Sequence, residues 1–568
     1  MLLLQNFKLN YDASMDVLEM RVRKMLRVPF QSMEILRRSL DARDKSDIKY
    51  VYTIRVDTGK TPEEEKRILK QINNKNVMLT DGKEYEFPFA FFPKNETGNA
   101  ILNTSEKHSE NLEYHDDTNE FRPLIIGAGP AGYFAALELA RAGFRPILCE
   151  RGKPVEERTM DVNTFWETGL LLPDSNVSFG EGGAGTFSDG KLFTGNKDRS
   201  GRIRHLLKEF VRFGASPEIA YDAKPHIGTD VLVKIMKNMR REIEACGGEI
   251  LFQTCLIDLL QEETSFGSKK YPIYRAIFKQ KEQKFDIITS SIILAVGNSA
   301  RDTFRRLHSF GLAMEAKPFA MGLRLEHPQS LIDHNMLGDA SPLYPADYKL
   351  VHHTEDGRAV FSFCMCPGGY VVNASTEPEM LCVNGMSYSG RDGVNANSAI
   401  VVSISPPEQA SVFWGMEFQR ELEKRFYEAG NGQIPVQRLG DFIKGEKTAS
   451  LGSVTPQTKG SYTLAELSHC LPIDMVEAII EAIRSFDRHC PGFWLEDAIL
   501  SGIEARTSSP IRIIRDESCQ SVSHPGIFPA GEGAGYAGGI TSSGADGIRA
   551  AEAVAEYILG KYQHSGLK

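Results

Sequence analysis

Apolar positions along this chain follow two rhythms, and the switches between them mark out the elements. In DIKYVYTIRVD, residues Ile48, Tyr50, Tyr52, Ile54 and Val56 alternate with more polar neighbours, the period of a strand with one buried face. TGKTPEEEKRILKQIN then changes to a helical period, with Thr61 as N-cap, Pro62 at the first helical position and Glu64 placed to close a capping box. MDVLEMRVRKMLRV predicts an earlier helix, so residues 1–93 are expected to form a small α/β domain. Its basic run ILRRSLDAR fits the solvated face of a helix, or alternatively a contact for RNA. Residues 94–120 are polar and acidic, show little apolar periodicity, and predict a linker. Beyond it, LII is a short apolar strand running into a glycine turn and a helix, and SSIILAVGNSARDTF holds another such strand. RAVFSFCM and SAIVVSIS predict two further strands, and MEFQRELEKRFYEAG a helix.

Composition narrows the class. At 568 residues the chain exceeds what one core supports, so two or three domains are expected. A 41% hydrophobic and 25% charged composition is that of a globular protein. The net charge of -9 provides no bulk attraction for nucleic acid or anionic membrane. MLLLQNFKLNYDASMD lacks the parts of a signal peptide, and no stretch approaches the ~20 apolar residues of a spanning helix. The expectation is therefore a cytoplasmic protein with no membrane partner. Nine scattered cysteines suit reduced thiols, and none has metal-site spacing.

FRPLIIGAGPAGYFAALELARAGFRPILCERG carries the most specific chemistry. Gly127 permits the tight turn, Gly129 lets backbone approach a pyrophosphate, and Gly132 lets helix and strand pack closely. Pro130 and Ala131 open a helix whose N-terminus presents free N–H groups and a positive dipole. The second strand ends at Glu150, placed to accept hydrogen bonds from an adenosine ribose and to disfavour a 2′-phosphate, with Arg151 beside it. This much does not separate FAD from NAD. The far end, HPGIFPAGEGAGYAGGITSSGADGIRAAEAVAEYILG, resembles the ending of the glutathione-reductase-type two-domain FAD-binding superfamily. That resemblance implies Gly531 and Glu532 near the ribitol and pyrophosphate and Gly538, Gly539 and Ile540 along the isoalloxazine edge. Thr541 or Ser543 would open a helix running through Leu559, its positive end placed for the charge of a reduced flavin. Ala295 and Gly297 likewise resemble the segment that returns the chain to the FAD domain. No second GxGxxG follows a strand, so NAD(P)H would bind only transiently or another donor would serve.

Longer strings carry a closer resemblance: RRSLDAR, FGEGGAGTFSDGKL, AKPHIGTD, KPFAMGLRLEHPQ, FCMCPGGYVV, NGMSYSGRDGVNANS and GIEARTSSPIRI. Together they resemble an uncharacterised bacterial family of FAD-dependent dehydrogenases, the NAD(FAD)-utilising dehydrogenases, along most of the chain. The resemblance implies the fold and FAD and names no substrate. The glycines of GEGGAGTFSDGK must approach a ligand or another backbone closely, and a flavin-facing loop is expected there, with Gly185 and Thr186 in it. Lys191 would then assist proton or hydride movement, or be a surface lysine. His226 is an acid–base candidate or a hydrogen-bonded helix-start histidine. Cys364 and Cys366, two apart on a strand, share a face and are either core residues or a redox or nucleophilic pair.

The expected architecture is a Rossmann-like α/β FAD domain in two pieces, 121–317 and 496–568, interrupted by a mixed α+β substrate domain over 318–495. The function so implied is an FAD-dependent oxidoreductase acting on a small-molecule substrate or electron acceptor. The alternatives are an FAD-dependent RNA-modifying or RNA-associated protein, betrayed by salt-dependent binding of tRNA, and a flavoprotein with a structural role.

Overall fold

The computed structural model describes residues 1–91, 122–195, 198–266, 269–338 and 345–565, and the linker expected over 94–120 lies outside them. Strands Leu2–Asn10, Ser32–Asp41, Lys49–Asp57 and Val77–Leu79 form an antiparallel sheet in the order second, third, first, fourth. Helices Met15–Leu26 and Pro62–Ile72 complete a β-α-β-β-α-β unit, burying Leu18, Val22 and Ile68 with Leu4, Tyr52 and Ile54. The capping box forms: Thr61 N–H donates to Glu64 Oε2 at 2.9 Å and Glu64 N–H to Thr61 Oγ1 at 3.4 Å.

The basic run corrects the helical reading. Ser32–Asp41 is a strand at the sheet edge, and its Arg38 is paired while Arg37 is exposed. Arg38 donates to both oxygens of Asp222 at 2.7 and 3.0 Å and lies over the rings of Tyr50 and Tyr221. Around it the edge is covered: Arg38 N–H donates to the Tyr221 carbonyl at 2.7 Å and Ala223 N–H to the Arg38 carbonyl at 2.8 Å. Because this bidentate pair is mostly shielded from water, Arg38→Ala is expected to cost about 1–2 kcal/mol. A lower urea midpoint at unchanged slope would register that loss; an unmoved midpoint would show that the backbone contacts alone hold the edge.

The second unit is built on a parallel sheet of Leu124–Ile126, Ile147–Cys149, Glu249–Leu251, Ile292–Leu294 and Ile527–Pro529. Its order is fifth, fourth, first, second, third, so the chain winds outward in both directions from the neighbouring first and fourth strands. Three-residue apolar runs suffice because both faces are covered. Helices Pro130–Arg141 and Ile540–Ser565 pack on one face through Phe134, Ala135, Ile548 and Ala551. On the other, the antiparallel strands Thr254–Phe266, Lys269–Gln280 and Gln283–Thr289 bring Leu256, Tyr274 and Phe278 against Ile292 and Ile527.

The third unit holds a seven-stranded sheet ordered Val351–His353, Ala359–Cys366, Asn395–Ile404, Phe319–Pro328, Ile499–Glu504, Ile434–Arg438, Tyr462–Leu464. Strand Ile499–Glu504 lies inside this sheet, between Phe319–Pro328 and Ile434–Arg438, on the far side of the boundary expected at residue 495. At the N-terminal end, Tyr85, Phe87, Phe89 and Phe91 pack against the core of the parallel-sheet unit, although they fall within the domain expected over 1–93. Helix Trp414–Ala429 carries Glu423, which is fully buried and grips two guanidinium groups. Arg301 of the parallel-sheet unit reaches its two oxygens at 2.9 and 2.8 Å, and Arg506 donates to both at 2.9 Å. No helix among the described residues is long and apolar enough to cross a membrane.

Candidate functional site

A cavity of about 1180 Å³ opens at the carboxyl ends of strands Leu124–Ile126 and Ile292–Leu294, where the direction of winding reverses, and all three units wall it. Its cradle begins at the first glycine turn. Gly127 takes φ +104° with its α-carbon against the Ala295 carbonyl, so a side chain fits neither the angle nor the space. At Gly132 a β-carbon would stand 1.9 Å from the Gly127 carbonyl oxygen, which places this glycine at the turn rather than in the cavity wall. A β-carbon at Gly129 would meet only the Gly183 α-carbon at 4.0 Å, in space belonging to the cavity. Gly129 caps the helix that starts at Pro130, and Ala131 is also in the wall.

Glu150 lines the cavity with both oxygens engaged: it accepts from Ala128 N–H at 2.8 Å and from the N–H groups of Gly152 and Gly180 at 2.9 Å. Its carboxylate therefore clamps the glycine turn to the second strand, and lone-pair capacity remains for a ligand hydroxyl. Arg151, also in the wall, donates to Asp302 and to Thr303 Oγ1 at 2.8 Å and lies over the Phe179 ring. Ala295, Gly297, Gly531, Glu532, Gly539 and Ile540 converge on the same wall. Burial pushes the Glu532 carboxyl up to about 7, against hydrogen bonds from Gly539 N–H and the Asn298 amide. The helix after them opens at Ile540, one residue ahead of the expected Thr541, and runs to Ser565. Thr541 Oγ1 instead donates to the Leu192 carbonyl at 2.8 Å, fastening Lys191 and Leu192 beside this end of the cavity.

The glycine-rich loop faces a ligand only in part. Gly183, Gly185 and Gly190 line the cavity, but Gly180 is pressed on the side chain of Arg158, and Gly190 is also against the Ile227 carbonyl. Arg158 is fully buried and donates to the carbonyls of Asn176, Val177, Glu181 and Gly183 at 2.6–2.9 Å, so one planar fork fixes the loop. Thr186 turns away from the cavity, its hydroxyl donating to the Glu181 carbonyl at 3.3 Å. Thr186, expected in a flavin-facing loop, is not among the residues that line the cavity.

Beyond the cradle the cavity becomes a polar chamber. Lys191 and His226 pair as neighbouring bridge residues and flank Asp189, whose carboxylate is completely buried. Lys191 Nζ stands 3.7 Å and Arg391 Nη2 3.3 Å from Asp189, and Ser387 donates to it. Burial first, then the Arg391 charge, pushes the His226 imidazole down to about 4, so it is neutral at pH 7 and able to accept a proton. Cys364 lines the chamber, whereas Cys366 is fully buried behind it. Arg38 and Tyr50 of the N-terminal sheet close another side. Sequence reasoning missed Asp189, Arg391 and Tyr50 as chamber residues, although FSDGK, NGMSYSGRDGV and the alternating strand DIKYVYTIRVD contain them.

A parallel sheet with this winding and a large cavity at its switch point define the mixed α/β class in which nucleotide cofactors bind. Residues 318–507 match a domain model described as "FAD-dependent protein, C-terminal domain-like", and residues 1–57 match a domain of unknown function. The chain is 41% identical to an uncharacterised protein of Clostridium beijerinckii over 570 residues, covering 98% of each, and belongs to the same family. Among solved structures, aklavinone-11 hydroxylase in complex with FAD and aklavinone is similar at 14% identity and a TM-score of 0.33, over 78% of this chain and 63% of that one. The FAD complex of glycerol-3-phosphate dehydrogenase from Bacillus halodurans is similar at 13% identity and a TM-score of 0.33, over 78% and 65%. Likenesses this slight leave the fold to rest on the chain's own geometry.

Proposed function

We propose that the protein is an FAD-dependent oxidoreductase whose substrate occupies the polar chamber beside the cofactor cradle. The observation that carries this reading is the open space over Gly129, at a helix N-terminus and next to Glu150, continuous with the chamber. In this reading the pyrophosphate of FAD lies over Gly129, Pro130 and Ala131, held by free helical N–H groups and the helix dipole. Glu150 takes the ribose, Gly531 and Glu532 the ribityl chain, and Gly539 and Ile540 border the flavin ring. The match of residues 318–507 to an FAD-dependent family supports the same cofactor. When bound, FAD supplies two-electron transfer. The chain's own residues exclude water and position the substrate, with His226 neutral and able to take a proton and Lys191 holding a positive charge nearby. NAD(P)H as donor, if used, docks transiently, since the described residues hold a single cradle of this kind.

The test is an absorbance spectrum of the purified protein followed by anaerobic addition of NADH and of NADPH. An oxidised-flavin band bleached by either is the expected result for a nicotinamide-fed reductase. A band that resists both assigns the reductive step to the chamber's substrate, and a colourless protein that cannot be reconstituted with FAD overturns the proposal.

A further inference from the structure

The chamber contains a thiol pair that the cradle does not account for. Strand Ala359–Cys366 pairs regularly with Asn395–Ile404 from Val360 to Phe363, and the register breaks between Phe363 and Cys366. At the break Cys364 adopts φ +44°, in the left-handed region that a non-glycine residue occupies only where its surroundings impose it. Its side chain borders the cavity, while Cys366 lies behind it with no exposure. Cys366 Sγ is 3.2 Å from the Cys364 carbonyl oxygen, and Arg324 Nη1 donates to that carbonyl at 3.0 Å while standing 3.7 Å from Cys366 Sγ. A β-carbon at Gly385 would fall 2.7 Å from Cys366 Sγ, so the sulfur is packed in one place. Both thiols are free.

The electrostatics divide the pair into unlike halves. A hydrogen bond from Cys366 lowers the Cys364 thiol, against its burial, and the charges of Arg324 and Lys191 act in the same direction. Burial raises Cys366. A thiol at the cavity wall with a second, fully buried thiol two residues on is the arrangement of an attacking and a resolving cysteine. Lys191 and Arg391 border the same chamber and face Asp189 at 3.7 and 3.3 Å, and Lys224 pairs with Asp347 at 2.6 Å, so the chamber is polar with its charges balanced.

We propose that Cys364 and Cys366 form a dithiol–disulfide exchange site for small disulfides that fit the polar chamber. The Cys364 thiolate attacks one sulfur of the substrate disulfide; a new S–S bond forms to Cys364, the substrate bond breaks, and one thiolate leaves. Cys366 then attacks Cys364 Sγ, its proton passing to a departing thiolate, so that the second substrate thiol leaves and a Cys364–Cys366 disulfide remains. One disulfide is reduced to two thiols and one dithiol is oxidised. The inference deepens the flavin reading by naming a substrate class for the same chamber, but the exchange needs only the two thiols.

The experiment uses the reduced, full-length protein as purified, incubated anaerobically with glutathione disulfide, with thiols alkylated and mapped by peptide mass spectrometry and flavin content measured on the same sample. The expected result is two equivalents of glutathione released per chain and a Cys364–Cys366 disulfide. Cys366→Ser should stop after one equivalent, with glutathione attached to Cys364, and Cys364→Ser should leave Cys366 unmodified. Wild-type protein in which both thiols stay alkylatable overturns the proposal whatever the variants do. Exchange in a protein that holds no flavin upholds this site and sinks the flavin reading; a flavin-loaded protein with inert thiols does the reverse.

Discussion

Glu423→Gln is expected to destabilise the protein by about 3–5 kcal/mol, the cost of removing the central charge of a buried ionic cluster. Two guanidinium groups converge on this one carboxylate, Arg301 from the parallel-sheet unit and Arg506 from the end of the seven-stranded unit; without its charge Arg301 keeps only Glu377 as an ionic partner and Arg506 only the Thr376 hydroxyl. Burial alone would raise the Glu423 carboxyl, but the two arginines outweigh it and hold it at about 2. A folded-state value below the unfolded one means that its contribution is fully present above about pH 4.5 and is lost as pH falls toward 2. The variant should therefore unfold at lower temperature at pH 7 and lose part of the wild-type acid sensitivity between those limits. Thermal melts across that range read both effects; equal melting temperatures at pH 7 would show that the arginines find other acceptors.

The second large effect separates binding from folding. Gly129→Ala adds a methyl where nothing of the protein stands closer than 4.0 Å, so the fold should persist. That methyl enters the space assigned to the pyrophosphate, and flavin retention should fall by about tenfold or more. Gly132→Ala puts a methyl 1.9 Å from the Gly127 carbonyl oxygen, where only backbone movement relieves it. It should cost about 1–3 kcal/mol in stability and lose flavin as well. Flavin released on ultrafiltration and a circular-dichroism melt, run on both variants, test the pair. Undiminished flavin in Gly129→Ala would move the cofactor off this turn.

Where side chains obey a local rule, the sequence was legible. The strand around Tyr52, the capping box at Thr61 and the turn at Gly127 each depend on neighbours within a few residues, and each forms. ILRRSLDAR was misread as a helix face; Arg37 and Arg43 are exposed, whereas Arg38 is neutralised by Asp222 from a distant segment. The glycines of GEGGAGTFSDGK were expected to approach a ligand or another backbone; Gly190 meets the Ile227 carbonyl and Gly180 the Arg158 side chain, partners that no spacing announces. Asp189, His226 and Arg391 lie apart in the chain, and only the packing of two units gathers them.

The edge strand that carries Arg38 implies a division of labour. The cradle is built wholly from the parallel-sheet unit, but the chamber borrows Arg38 and Tyr50 from one neighbour and Cys364 and Arg391 from the other. On the proposed reading, changes in those borrowed walls retune which molecules are admitted while the cradle keeps its shape, so admission and cradle are inherited on separate stretches of the chain.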